Sequence, residues 1–330
     1  MALAKISGID IKGIIMVLPK HQESNMDLDV IAPDKRASLI EHTGIKFRNK
    51  ALKQTTVKNL FAKGIETIID QLKWEKNEVD VIVCVTQTAM ISIPSVSNQL
   101  HGQLEFGNHT MCYDINSGCS GYVYGLHTIG TLLNSIDKKN ARALLCCGDV
   151  SSQLIDENDV TTRPIFSDAI SITAIEKTDS NNEWAFNLET NGKGEKAIYT
   201  DELNGNQPVM KLNGIDVFSY TLSMVPNNIN TLLNFASKDI SYPELFVLHQ
   251  ANKLINESVR KKLNIPVEKA PSTLYEYGNT ASASIPLTLG LNKAKIIDGN
   301  VLLCGFGVGF SVASALVNIN ANFHFNIIDA

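Results

Sequence analysis

Among the six cysteines of this 330-residue chain, one is set apart by its neighbours. Cys119 stands between Ser117-Gly118 and Ser120-Gly121, whereas Cys84, Cys112, Cys146, Cys147 and Cys304 lie in or beside apolar runs and read as small hydrophobic core residues. After Cys119 the residues Val123, Leu126, Ile129 and Leu133 recur at the period of an amphipathic helix, so the sulfur sits at a helix N-terminus. Unpaired N–H groups and the helix dipole there favour the thiolate, the form of cysteine that attacks carbonyl carbon. A buried cysteine in a strand-to-helix turn fits the same pattern, so nucleophilic chemistry requires a partner group.

His249 is the best-placed partner among seven histidines, because it closes the apolar strand Leu245-Phe246-Val247-Leu248 and opens a helical pattern through Ile255, Val259 and Leu263. Strand ends are where α/β sheets carry their chemistry. A histidine capping that helix is the plainer reading of the same placement. Tyr277-Gly278-Asn279-Thr280 reads first as a turn, with Thr280 able to cap the next element. Gly305-Phe306-Gly307-Val308-Gly309-Phe310 has glycines at alternate positions after a strand, without the spacing of a dinucleotide fingerprint. It describes a backbone that must approach something closely.

Buried-strand runs alternate with helical patterns and no low-complexity linker interrupts them, which indicates an α/β protein. Val79 to Val85 and Leu245 to Leu248 each lead into a polar junction, while Ala143 to Cys147 and Val301 to Cys304 each end in glycine. This echo suggests two similar halves, 1–176 and 177–330, divided at a polar stretch that begins Lys177-Thr178-Asp179. A net charge of −5 argues against a nucleic-acid partner, which would need a dominant basic surface. No apolar run approaches the roughly 20 residues of a membrane span, and the N-terminus does not read as a secretory signal, so a cytoplasmic protein is expected. The cysteines show no metal-ligand spacing.

Taken together and in order, four segments resemble the ketoacyl-acyl-carrier-protein synthase III family of the thiolase superfamily. They are the nucleophile segment Asp114 to Gly121, His249-Gln250-Ala251-Asn252, Gly278-Asn279-Thr280 with the small residues after it, and Gly305 to Phe310. The likeness covers nearly the whole chain, with intervals of 130 residues from Cys119 to His249 and 30 from His249 to Asn279. The resemblance implies a homodimeric thiolase fold of five layers (αβαβα). It implies that Cys119 takes an acyl group from a thioester of coenzyme A or acyl carrier protein and condenses it with a decarboxylating malonyl thioester. His249 and Asn279 would donate hydrogen bonds to the enolate oxygen, and the backbone N–H groups of Cys119 and Val308 would hold the acyl oxyanion. No metal or bound organic cofactor is implied.

Departures from the family pattern carry their own expectations. Phe166-Ser167-Asp168-Ala169-Ile170-Ser171 replaces a glycine-rich stretch beside the site, and Ser38, His42 and Thr161 replace a tryptophan and two arginines that hold coenzyme A. Leu254 stands where an arginine docks the carrier protein, leaving Lys253, Arg260 and Lys261 as the basic patch for that acidic partner. Ile93 takes the place of the residue that crosses the dimer interface to close the acyl pocket. These changes point to a specialised pathway rather than to the start of general fatty-acid synthesis. The competing readings are acyl transfer from Cys119 to an alcohol or amine without decarboxylation, and a non-catalytic partner subunit.

Overall fold

The computed structural model describes residues 2–201 and 208–330. The first part of the chain contains β1 (Ala2–Ser7), β2 (Ile9–Leu18), β3 (Gln22–Ser24), α1 (Pro33–Thr43), β4 (Phe47–Asn49), α2 (Val57–Leu72), β5 (Val79–Val85) and α3 (Val96–Gln103). It continues with β6 (Met111–Ile115), α4 (Gly121–Ser135), β7 (Arg142–Asp149) and β8 (Ala169–Lys177). The second part contains β9 (Glu183–Thr190), β10 (Ile198–Thr200), β11 (Met210–Leu212), α5 (Gly214–Phe235), β12 (Leu245–Leu248) and α6 (Lys253–Lys262). It ends with α7 (Leu274–Tyr277), α8 (Ser284–Leu291), β13 (Asn300–Gly307), β14 (Ser311–Asn318) and β15 (His324–Asp329).

Two mixed sheets repeat one order. The first runs β15-β2-β8-β7-β5-β6 and the second β1-β9-β14-β13-β12, each with a parallel pair (β5 on β7, β12 on β13) beside antiparallel neighbours. Strands buried on both faces need continuous apolar sequence, which β5, β7, β12 and β13 supply. Helices α4 and α8 lie between the sheets, in a core where Leu126 and Ile129 of α4 and Leu287 and Leu289 of α8 join Val83, Leu145, Val247 and Leu303 from both sheets. The apolar faces of α2 and α3 cover the outside of the first sheet, and those of α5 and α6 cover the outside of the second. This is the five-layered αβαβα thiolase fold.

The polar stretch after Lys177 carries the chain from one sheet to the other, as β8 ends in the first and β9 begins in the second. A division at residues 176 and 177 misplaces both terminal strands, however. β1 pairs with β9 in the second sheet, and β15 pairs with β2 in the first. Of the cysteines expected in the core, Cys84, Cys146, Cys147 and Cys304 are buried, while Cys112 is only partly covered on edge strand β6. No helix among the described residues is long and apolar enough to cross a membrane.

Candidate active site

The turn that carries Cys119 is built outward from the first sheet. β6 ends at Ile115, and α4 begins at Gly121 with Ser120 in the N-cap position. The Gly121 N–H donates to the Gly118 carbonyl at 2.8 Å, closing a tight turn with Cys119 inside it. Strand β13 presses on this turn from the other half of the chain. A Cβ on Gly305 would lie 2.6 Å from Ser120 Cα, and one on Gly307 would lie 3.1 Å from the Cys119 Sγ. Gly305 and Gly307 are therefore glycine because the Cys119 turn leaves no room for side chains, whereas Gly309 faces open space and is favoured by its φ of +66°. Ser120 Oγ and Ser311 Oγ lie 2.6 Å apart and Ser311 Oγ donates to the Val308 carbonyl at 2.9 Å, tying the two turns together. Among the described residues the Cys119 N–H has no backbone acceptor.

Cys119 is only 6% exposed, and burial, with the nearby Asp149 carboxylate, pushes its thiol from 9.0 up to about 12. That rise corresponds to roughly 4 kcal/mol. A helix terminus returns at most about 2 kcal/mol. Burial wins, so the resting group is a thiol, and the expectation of a thiolate held by the helix end is corrected.

His249 follows β12, its N–H donating to the Cys304 carbonyl at 2.8 Å. Its Nδ1 lies 2.8 Å from Ser284 Oγ, and its ring meets Phe306 edge-on at a centroid distance of 5.3 Å. Burial pushes its pKa down to about 3, so the imidazole is neutral. The capping reading fails, because α6 is capped by Asn252, whose Oδ1 accepts the Ile255 N–H at 2.9 Å.

Asn279 sits after Gly278, whose φ of +63° places it in the left-handed region where glycine is favoured. Backbone bonds fix the position: the Asn279 N–H donates to the Ile165 carbonyl at 3.0 Å, and its own carbonyl accepts from Ser167 at 2.9 Å. Oδ1 accepts from the Ala281 N–H at 3.0 Å, which orients the amide so that Nδ2 is the donor end. One amide proton goes to the Ala251 carbonyl at 3.3 Å. Among the described residues the other amide proton has no acceptor.

Cys119, His249 and Asn279 line one cavity of about 420 Å³, counting its open mouth. A second cavity, about 360 Å³ on the same basis, shares Cys119, Phe166 and Ile198 and extends past Val308 to Gln87, Thr88 and Asp149. The sulfur stands where the two meet. The neutral His249 ring and the Asn279 amide lie on one side of it, and a mixed polar and apolar wall lies on the other.

The peripheral residues behave less uniformly. Lys253 and Lys261 are exposed on α6, but Arg260 binds Glu257 through Nε at 3.1 Å and Nη2 at 2.7 Å and caps the Ile265 carbonyl at 2.8 Å. Ile93 is 85% exposed and lines neither cavity of the single chain. His42 Nδ1 lies 2.6 Å from its own helix's Ser38 carbonyl, and Thr161 Oγ1 donates to Asp159 at 2.7 Å. In the stretch that replaces the glycine-rich segment, Ser167 Oγ accepts from the Asn49 N–H at 2.8 Å. Buried Asp168 accepts from the Ala51 N–H at 2.8 Å, so this stretch anchors the β3–β4 region. Sequence reasoning missed Ser284 and Phe306 as neighbours of the histidine; their only signal was membership of motifs already noted for small or close-approaching residues.

The family model described as 3-oxoacyl-[acyl-carrier-protein] synthase III matches residues 113–192, and that of its C-terminal part matches 233–319. The beta-ketoacyl-[acyl-carrier-protein] synthase III of Lactobacillus helveticus is 32% identical over 91% of this chain and 95% of its own. The crystal structure of a 3-oxoacyl-(acyl-carrier protein) synthase from Burkholderia xenovorans superposes with a TM-score of 0.94 at 28% identity, covering 100% of this chain and 99% of that one. The synthase III of Aquifex aeolicus gives 0.86 at 26% identity over 94% of this chain and 100% of its own. Fold and site together define a thiolase-fold condensing enzyme. The chain belongs to the 3-oxoacyl-[acyl-carrier-protein] synthase III family.

Proposed function

We propose that this enzyme joins an acyl primer to a malonyl thioester by decarboxylative Claisen condensation, with Cys119 as the acyl carrier. One observation carries the reading: a cysteine, a neutral imidazole and an oriented amide converge on a single cavity. In the first half-reaction Sγ attacks the primer thioester, the Sγ–H proton leaves with the departing thiol, and the acyl oxygen draws on the N–H groups of Cys119 and Val308. In the second, the malonyl unit loses carbon dioxide and leaves its electron pair as an enolate, whose oxygen accepts from His249 and Asn279. The carbanion attacks the acyl carbon and expels the Cys119 thiolate, which takes up a proton. Neutral donors suit an oxygen that becomes negative only as carbon dioxide departs.

An acidic carrier protein delivers the thioesters, meeting Lys253 and Lys261, while Arg260 serves its own helix. The active form is a homodimer. Edge strand β6 and the exposed apolar side chains Met90, Ile91, Ile93 and Tyr113 beside it favour a second copy there, which would bring Ile93 to the partner's acyl cavity. The departures at Ser38, His42 and Thr161 support a specialised pathway. Incubation with a panel of acyl thioesters, read by intact-protein mass spectrometry, tests the nucleophile: a stable mass gain should appear and should be absent in Cys119→Ala. Labelled carbon dioxide released from a malonyl thioester tests the condensation. Acylation without that release, followed by transfer to an alcohol or amine, would replace this reading.

A further inference from the structure

A neutral imidazole carries one ring proton, so His249 can hold an enolate oxygen only if that proton is on Nε2. Nδ1 is then bare, and a bare nitrogen in a buried site needs a donor. Among the described residues, the Ser284 hydroxyl at 2.8 Å is the donor within reach. Ser284 is itself fully buried, as the first residue of α8. Its hydroxyl has a second possible acceptor, the Ala281 carbonyl, also at 2.8 Å. The direction of one O–H bond therefore decides what the histidine presents to substrate.

If the hydroxyl donates to Ala281, Nδ1 keeps the ring proton and Nε2 faces the cavity as a bare acceptor. If it donates to Nδ1, Nε2 becomes a donor. The second arrangement leaves nothing unpaired: the Ala281 carbonyl still accepts the Ser284 backbone N–H, and Ser284 Oγ accepts from the Gln250 N–H at 3.3 Å. We infer that Ser284 is a positioning residue whose O–H, directed at Nδ1, holds His249 in the Nε2–H tautomer used for decarboxylation. The inference rests on the donor role proposed for His249. No proton changes owner in this step; the enolate oxygen accepts a hydrogen bond while the carboxylate electron pair moves to carbon.

Removing the hydroxyl takes away the donor at Nδ1 and leaves the nearby Ala281 carbonyl, which had been bonded to Ser284 Oγ, as the polar group on that side, so the preference for the Nε2–H tautomer is lost. Ser284→Ala should therefore slow decarboxylation by roughly 10²–10³, the effect of losing one oxyanion donor. Acylation of Cys119, which does not use Nε2–H, should stay within about threefold of wild type.

The decisive measurement is the ¹⁵N spectrum of the full-length protein labelled at histidine, with His249→Asn used to assign the ring. Wild type should carry the proton on Nε2, and Ser284→Ala should carry it on Nδ1. Ser284→Cys, close in volume with a much weaker donor, should fall between them and covers the case in which the alanine variant does not fold. A wild-type ring protonated on Nδ1, an unchanged tautomer in both variants, or equal loss of acylation and decarboxylation would each overturn the inference. If wild type neither acylates nor releases carbon dioxide, the proposed function fails, while the ring spectra still decide the role of Ser284.

Discussion

Replacing Gly305 by alanine puts a methyl group where β13 meets the nucleophile turn. The new Cβ would lie 2.6 Å from Ser120 Cα and 2.7 Å from the Cys119 carbonyl oxygen, about 1 Å inside ordinary contact. Both atoms are backbone, so no side-chain rotation relieves the clash and the turn itself must move. A displacement of about 1 Å at a reacting group costs roughly 10²-fold in rate. That is about 2.7 kcal/mol of barrier. Overpacking of a buried site adds roughly 1–3 kcal/mol of lost stability. The assay is the initial rate of acyl-Cys119 formation by intact mass, with urea unfolding of the same sample. Acylation should be about 100-fold slower in a protein that still unfolds cooperatively, at a lower midpoint. Gly307→Ala provides the contrast: its Cβ would meet the Cys119 Cβ at 3.0 Å and Sγ at 3.1 Å, with backbone no nearer than 4.0 Å. Stability should change less there, because the Cβ–Cβ contact at 3.0 Å asks only a few tenths of an ångström of the chain, but relieving the Sγ contact turns the sulfur away from its place in the cavity. A folded Gly305→Ala that acylates within threefold of wild type would refute the claim that this strand sets the position of the sulfur.

Other outcomes rest on the buried groups and the surface. The native His249 ring stays neutral down to about 3 against 6.5 when unfolded, so the unfolded chain binds more protons and stability is lost as pH falls from 6.5 towards 3. Between pH 6.5 and 4.5 this one group should account for roughly 2–3 kcal/mol, so His249→Asn should lose that much less than wild type in urea titrations at the two pH values. With the Cys119 thiol pushed up to about 12, its alkylation by iodoacetamide should rise about tenfold per pH unit from 7 to 10; a plateau near neutrality would show a stabilised thiolate instead. Lys253→Glu with Lys261→Glu should raise KM for carrier-protein thioesters in a salt-sensitive way without slowing a small-molecule thioester, since both side chains are exposed. Because His42 and Thr161 hydrogen-bond within their own segments, acyl-coenzyme A should be the weaker primer by KM, and His42→Arg with Ser38→Trp should improve it.

Cys119 and His249 stand out in the sequence because each adjoins an element whose periodicity is local, whereas Asn279 reads only as a turn and is marked by the family resemblance. Apolar runs mark β5, β7, β12 and β13, and the three- and four-residue steps after Cys119 mark α4. What the sequence hid depends on contacts between distant segments. The exchange of β1 and β15 leaves no local trace, because a strand's sequence says which faces are covered and not which sheet it joins. The direction of the thiol's pKa was misread because the helix start is visible in sequence while the depth of burial is not. Arg260 differs, since its bonds to Glu257 and Ile265 are local, three and five residues away, and engage its guanidinium at the end of α6.

The division of labour between the halves also says where substrate preference can vary. Cys119 comes from the first half and His249, Asn279, Gly305 and Gly307 from the second, so their spacing is set by the central layer, whose helices α4 and α8 pack against both sheets. With β1 and β15 exchanged, neither half can shift without breaking a sheet ladder. Any change large enough to remodel that layer would move the reacting groups as well. Cavity walls that can change without disturbing that layer therefore lie outside it. Ile198 of β10 lines both cavities, Met210 of β11 lines one and Leu212 the other. This two-stranded ribbon is a separate sheet, joined to neither large one, so its side chains can change size at little cost to the core. Substitution at Ile198 and Met210 should shift the accepted chain length while leaving the rate with the preferred primer set by Cys119, His249 and Asn279.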